Sequence, residues 1–142
     1  MMIWFKKYGL SNAKLMAKNT MLEHLDIRIE EIKDNALIGS MPVDHRTVQP
    51  YGILHGGASV TLAETLGSLA AHMTIDETKY QTVGLEVNAN HIKSVRQGRV
   101  KGVAKPIHIG KNTQVWEIKI FDEENRLTCI SRITMAVIEK RK

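Results

Sequence analysis

Between Arg46 and Asp76 the chain carries one formally charged side chain, Glu64. It lies inside a run over residues 58–75 in which Val60, Leu62, Ala63, Leu66, Leu69, Ala70, Ala71 and Met73 recur on almost every face of a helix. A helix with so little polar surface has to be covered by the rest of the chain. The run follows a loop over residues 44–57, which holds Pro50, Gly52 and the Gly56-Gly57 pair. A chain of 142 residues is long enough to bury one such helix and too short to divide into two sizeable domains.

The remaining apolar segments read as strands. Leu25, Ile27 and Ile29 alternate, Asp34-Asn35 supplies a turn, and an extended run over 36–41 ends at Pro42, as in a hairpin. Further strands are predicted over 81–88, where Val83, Leu85 and Val87 alternate, and over 99–109, 113–121 and 127–138, with a turn at residues 122–125. A short helix over 11–22 precedes them, giving an N-terminal capping region at 1–22 and a domain at 23–142. One long helix wrapped by a curved, mostly antiparallel sheet, an α+β fold, uses every element.

Hydrophobic residues make up 43% and charged residues 25%, a globular composition. The single cysteine, Cys129, excludes an internal disulfide framework and fits a reducing, cytoplasmic setting. No apolar run is long enough for a membrane span, and Lys6-Lys7 follow the opening apolar residues too soon for a secretory core. Neither export nor a membrane partner is expected.

The net charge of +5 is unevenly spread. Residues 87–116 hold Lys93, Arg96, Arg99, Lys101, Lys105 and Lys111 with no acidic residue, and residues 1–20 hold Lys6, Lys7, Lys14 and Lys18, again with none. Solubilising lysines on strand edges account for part of this. Aromatic residues are only 5%, and neither Trp4 nor Trp116 stands in a basic-aromatic ladder. That argues against a nucleic-acid partner and for a small phosphorylated ligand.

Glu64 demands an explanation, because an unpaired carboxylate is costly to bury. Either it turns outward at a helix edge or pairs with a distant lysine, or it is a general base or nucleophile for acyl transfer, made reactive by desolvation. Ser68, one turn on, has a hydroxyl able to hold the carboxylate or a water, and Thr61 and Thr65 add others. His55-Gly56-Gly57 opens the helix, where free N–H groups and the helix dipole suit a developing oxyanion. Gln49 on the same loop can donate an amide hydrogen bond to a carbonyl oxygen.

The six histidines show no helical metal-binding pair, so no metal site is assigned. The P-loop, the serine elbow and the dinucleotide-binding glycine pattern do not occur.

The stretch Gln49-Pro50-Tyr51-Gly52-Ile53-Leu54-His55-Gly56-Gly57-Ala58-Ser59, with Leu62-Ala63-Glu64-Thr65-Leu66-Gly67-Ser68, resembles the signature of hotdog-fold acyl-CoA thioesterases. The likeness continues through residues 83–91, 105–110, 114–116 and 129–132. Within that family, residues 84–91 are more similar to the branch that hydrolyses 1,4-dihydroxy-2-naphthoyl-CoA in menaquinone synthesis than to the proofreading branch of enterobactin synthesis.

The resemblance implies that Glu64 attacks the thioester carbonyl or activates water, and that the Gly56 N–H with Gln49 polarises the carbonyl. It implies that His55 and Ser68 position the reacting groups with His91 nearby. It further implies that the CoA phosphates lie along His91, Lys93, Ser94 and Arg96 and along His108, Ile109, Gly110, Lys111, Asn112 and Thr113. Leu69 and His72 would border the acyl pocket, where relatives often carry an aromatic residue at the position of His72. The site would lie between subunits of a homodimer assembling to a homotetramer, acyl-CoA being the substrate and no separate cofactor required. The substrate would be an aromatic acyl-CoA, 1,4-dihydroxy-2-naphthoyl or benzoyl in type, or a medium-chain one. A non-catalytic acyl-CoA-binding protein and an enoyl-CoA hydratase are the rival readings.

Overall fold

The computed structural model describes residues 1–142. Two short helices, α1 (Leu10–Ala17) and α2 (Met21–His24), precede the hairpin of β1 (Arg28–Lys33) and β2 (Ala36–Pro42). The long helix α3 (Gly56–Met73) follows, then β3 (Tyr80–His91), β4 (Arg99–Ile109), β5 (Thr113–Phe121) and β6 (Leu127–Glu139). The six strands form one sheet in the order β1-β2-β4-β5-β6-β3, and every neighbouring pair is antiparallel. This is the wrapped-helix α+β architecture expected from the sequence.

Several boundaries differ from expectation: β1 begins only at Arg28, since Leu25 ends α2, and three other differences have a local reason. The helix predicted over 11–22 is broken after Ala17, because Asn19 adopts a left-handed backbone (φ 59°) and the Thr20 hydroxyl caps α2 by accepting from Leu22 N–H at 3.2 Å. Helix α3 starts and stops two residues earlier than its apolar run, since the His55 imidazole caps its first turn and the Thr74 hydroxyl donates to Ala71 O at 2.8 Å. Strand β3 continues to His91 because its ladder with β6 persists to the His91–Cys129 pair.

The sheet covers one face of α3, burying Leu62, Ala63, Leu66, Ala70, Ala71 and Met73. Leu66 sits in a notch between Gly39 and Gly102, which pair across β2 and β4. A β-carbon at Gly39 would lie 2.7 Å from Leu66 Cδ2, and one at Gly102 only 2.5 Å from Leu66 Cδ1. The other face of α3 corrects the expectation of an all-round buried helix. Thr61, Thr65, Ser68, Leu69 and His72 are half-buried there, and Glu64 is exposed.

The N-terminal segment is tied into the core. Trp4 stacks on Trp116 with ring centroids 6.2 Å apart and planes within 6°, and its indole N–H donates to Lys33 O at 2.7 Å. Ile3 N–H bonds Asp34 O at 2.9 Å and Phe5 N–H bonds Met73 O at 2.8 Å. Trp116 N–H in turn donates to Gln114 Oε1, and Gln114 Nε2 donates to the Thr74 hydroxyl, both at 2.8 Å. Helix α1 buries no residue and stands over a groove. No helix is long and apolar enough to cross a membrane.

Candidate active site

The first turn of α3 leaves one amide free. Gly57 N–H donates to His55 Nδ1 at 2.8 Å, while Ala58 and Ser59 N–H reach His55 O at 3.0 and 3.2 Å. Gly56 N–H has no partner and lies at the positive end of an 18-residue helix. The His91 ring lies against it, with Nε2 2.9 Å from where a β-carbon on Gly56 would be. Glycine is therefore required for the ring to approach the backbone this closely.

The loop before the helix carries Gln49 and is held at both ends. His55 N–H bonds Thr47 O at 2.8 Å, Leu54 N–H bonds Val95 O at 2.7 Å, and Gln49 N–H bonds Ile53 O at 2.9 Å. Asp44 accepts from the guanidinium and backbone N–H of Arg46, which pulls its carboxyl down to about 2. The half-buried Gln49 accepts from Tyr51 N–H through Oε1, which leaves its amide NH2 free to donate. An unpaired backbone N–H at a helix N-terminus, with a free side-chain amide on the loop that leads to it, offers donors of the kind a developing oxyanion needs.

Glu64 lies eight residues further along α3, about 12 Å from Gly56 at 1.5 Å per residue. A single chain does not bring the two to one carbonyl group. Its carboxylate is exposed, 3.6 Å from where a β-carbon on Gly84 of β3 would lie, so one chain does not supply the desolvation expected from sequence. Ser68 does not hold the carboxylate either. Its hydroxyl points to Met135 Sδ at 3.8 Å, and Thr61 bonds its own helix at Gly57 O at 2.9 Å.

Below Glu64 a groove of about 1480 Å³ opens between α1, β1 and the outer face of α3. Thr65, Ser68, Leu69 and His72 line one wall, with Thr82, Gly84 and Met135 from the sheet. Leu69 and His72, expected to border an acyl pocket, both line this groove. Sequence reasoning missed Thr82, Gly84 and Met135 as lining residues. A glycine inside strand β3 was the one signal, since it marks a site of close approach.

The residues named for CoA binding in the two segments are all exposed, except half-buried Gly110, but the segments lie apart. His91 pairs with Cys129 at one end of β6 and Thr113 pairs with Ala136 towards the other, seven residues and about 23 Å away. Arg99, counted in the basic window, is committed elsewhere. It donates to Asp26 Oδ2 at 2.9 Å, to Asp26 O at 2.8 Å and to the Ser40 hydroxyl at 3.0 Å. Cys129 is buried, which pushes its thiol up. No three His, Cys, Asp or Glu side chains converge as metal ligands.

Residues 51–129 match the thioesterase superfamily. The chain is 53% identical over 137 residues to the 1,4-dihydroxy-2-naphthoyl-CoA hydrolase of Escherichia coli, covering 96% of this chain and 100% of that protein. It is 45% identical over 137 residues to a proofreading thioesterase of Cronobacter sakazakii, covering 96% of this chain and 99% of that one. A crystal structure of a thioesterase from Haemophilus influenzae superposes with a TM-score of 0.94 at 48% identity, over 97% of this chain and 96% of the other. The chain belongs to the thioesterase superfamily and is a thioester hydrolase.

Proposed function

We propose that this protein is a cytoplasmic acyl-CoA thioesterase that cleaves an aromatic acyl-CoA, of 1,4-dihydroxy-2-naphthoyl or benzoyl type, or a medium-chain one, to the free acid and CoA. The observation that carries this reading is the unpartnered Gly56 N–H at the N-terminus of α3, with the Gln49 amide on the loop that leads to it. These donors take the thioester oxygen as its charge develops. Glu64 acts as general base on water, or attacks the carbonyl carbon itself to form an anhydride that water then opens. In either route the C–S bond breaks and the thiol leaves with a proton. His55 and Ser68 position the reacting groups.

The 12 Å between Gly56 and Glu64, about two helical turns, calls for two chains. Strand β3 is an edge of 12 residues that exposes Val83 and Leu85, a surface suited to pairing with a second copy. Antiparallel pairing along β3 sets the His91 end of one chain beside the Tyr80 end of the other. That end also carries the turn of residues 108–113, so the pairing joins the separated halves of the CoA site across the interface. A dimer of this kind, paired again into a tetramer, is the proposed assembly. The substrate brings the only CoA, and no cofactor takes part.

The test is release of CoA thiol from 1,4-dihydroxy-2-naphthoyl-, benzoyl-, hexanoyl- and palmitoyl-CoA by wild type and Glu64→Gln. Turnover that falls about 100-fold or more in the variant supports the assignment. Undiminished turnover in Glu64→Gln removes the carboxylate from the mechanism. Binding of CoA without turnover of any thioester points to a binding protein, and hydration of crotonyl-CoA points to a hydratase.

A further inference from the structure

The residues that follow β6, Lys140-Arg141-Lys142, are three consecutive cations, all of them exposed. Their side chains make no contact that the fold depends on. None of the chain's ion pairs includes Lys140, Arg141, Lys142 or Lys111. One backbone bond fixes where the run leaves the sheet, since Lys140 N–H donates to Lys79 O at 2.9 Å.

The sheet register brings these cations to one corner. Thr113 pairs with Ala136, and Val137 N–H donates to Asn112 O at 2.8 Å, so the turn between β4 and β5 runs on beside the end of β6. Lys111, one residue further round that turn, stands about level with Ile138, about 7 Å from Lys140 along the strand direction. Nearby acids do not balance them. Asp76 lies 3.6 Å from Lys79 Nζ and Glu77 is paired with Lys6, which leaves Glu139 against Lys111 and the three cations after it. Like charges gathered in this way repel one another, and an anion of several charges relieves the repulsion.

The same corner borders the edge of the sheet. Tyr80, the first residue of β3, pairs with Glu139, the residue immediately before the run. Antiparallel pairing of two β3 strands therefore sets Lys140, Arg141 and Lys142 of one chain beside the His91 end of the other, where Lys93 and Arg96 are exposed. The nucleotide end of CoA carries a pyrophosphate and a 3′-phosphate, whereas its pantetheine arm is uncharged.

We propose that Lys140, Arg141 and Lys142 bind the phosphates of the CoA nucleotide, forming with Lys111 a cationic corner that captures the substrate by its nucleotide end. This rests on the thioesterase reading and adds three binding residues outside the segments assigned to CoA. Arg141 suits a phosphate through two parallel N–H bonds, and the two lysines act as point charges. The corner acts on capture of the substrate and not on the reacting carbonyl, so its removal raises KM more than it lowers kcat.

The experiment uses the full chain as wild type and as the triple variant Lys140→Gln, Arg141→Gln, Lys142→Gln. Each is given the acyl group that wild type hydrolyses fastest, as the CoA thioester and as the pantetheine thioester, which lacks the nucleotide and its phosphates. Calorimetric titration with free CoA runs alongside. At about 0.01 M salt, where charges act over about 30 Å, the variant should lose about threefold to tenfold in kcat/KM for the CoA thioester, chiefly through KM. CoA affinity should fall in parallel. At about 1 M salt, where that reach is about 3 Å, the difference should close, and the pantetheine thioester should show no such loss at either salt. Equal kcat/KM and equal CoA affinity in the two proteins at low salt overturn the proposal, and so does an equal loss on the pantetheine thioester. If wild type hydrolyses no thioester the thioesterase reading fails, and the titration still decides the phosphate site: weaker, salt-sensitive CoA binding in the variant upholds it and unchanged binding removes it.

Discussion

Nε2 of His91 lies 2.9 Å from the point a β-carbon on Gly56 would occupy, so the last residue of β3 closes over the one free amide at the start of α3. A methyl group there must displace the ring. We expect Gly56→Ala to lower kcat/KM about tenfold to a hundredfold by disturbing the oxyanion donor. The position is partly open to solvent, so the melting temperature should move little. Thiol release and a thermal melt measured together check both halves, and full activity in the variant would show that the His91–Gly56 contact has no part in the chemistry.

If the Gly56 and Glu64 ends of one site come from different chains, two inactive variants can rescue each other. Gln49→Ala and Glu64→Gln, unfolded and refolded together at equal concentrations, should regain about a quarter of wild-type turnover, since half the dimers are mixed and each mixed dimer holds one intact site. Activity no greater than that of the separate variants would place both groups of each site in the same chain.

Leu66 and Gly102 make a prediction about packing. Leu66→Ala leaves a cavity at the centre of the helix–sheet contact and should cost about 2–5 kcal/mol. Gly102→Ala overfills the same notch and should cost about 1–3 kcal/mol. Because the added methyl fills the space the leucine vacates, the double variant should be more stable than the sum of the two predicts. Urea denaturation of the four proteins gives the coupling, and strict additivity contradicts the notch.

Trp4 joins the first residues to the core through its stacking on Trp116 and its bond to Lys33 O. Trp4→Ala should destabilise the protein by about 3–5 kcal/mol and reduce the near-ultraviolet circular dichroism of the remaining tryptophan, which loses its stacking partner. An unchanged melting curve would mean that the N-terminal segment covers the core without supporting it.

Several carboxyls have their pKa lowered by folding. Asp44 is held at about 2 by the Arg46 guanidinium, Asp26 is lowered by Arg28 and Arg99, and Asp122 is lowered by the backbone N–H and guanidinium of Arg126. A carboxyl lowered in the folded state contributes stability above its unfolded value, near 4, and loses it as pH falls through the folded value. The melting temperature should therefore fall as pH drops from about 4 towards 2. Asp44→Asn should flatten that slope, and an identical slope in the variant would show that the Asp44–Arg46 clasp is not formed in solution.

Much of the fold is legible along the chain because its signals are local. Alternation of apolar residues places β4 and β5 at the bounds observed, and the Asp34-Asn35 turn sets the hairpin of β1 and β2. The helix over 11–22 was less legible, because a backbone break at Asn19 and a cap at Thr20 depend on single dihedral angles. The basic window illustrates a different limit. Lys93 and Lys111 are close in sequence, yet strand β4 between them carries them to opposite ends of the sheet, and Arg99 turns to Asp26 and Ser40 instead.

The sequence by itself determined that a nearly uncharged helix with one carboxylate follows a Gly-Gly start and needs a sheet around it, because apolar periodicity and turn chemistry act over a few residues. Only the tertiary structure decided that Gly56 is overlain by His91 and that Glu64 faces outward towards β3. It alone brought Lys6 and His72 to the two oxygens of the Glu77 carboxylate. Those relationships join residues far apart along the chain, and the packing of α1, α3 and β3 against one another sets the distances that no local pattern encodes.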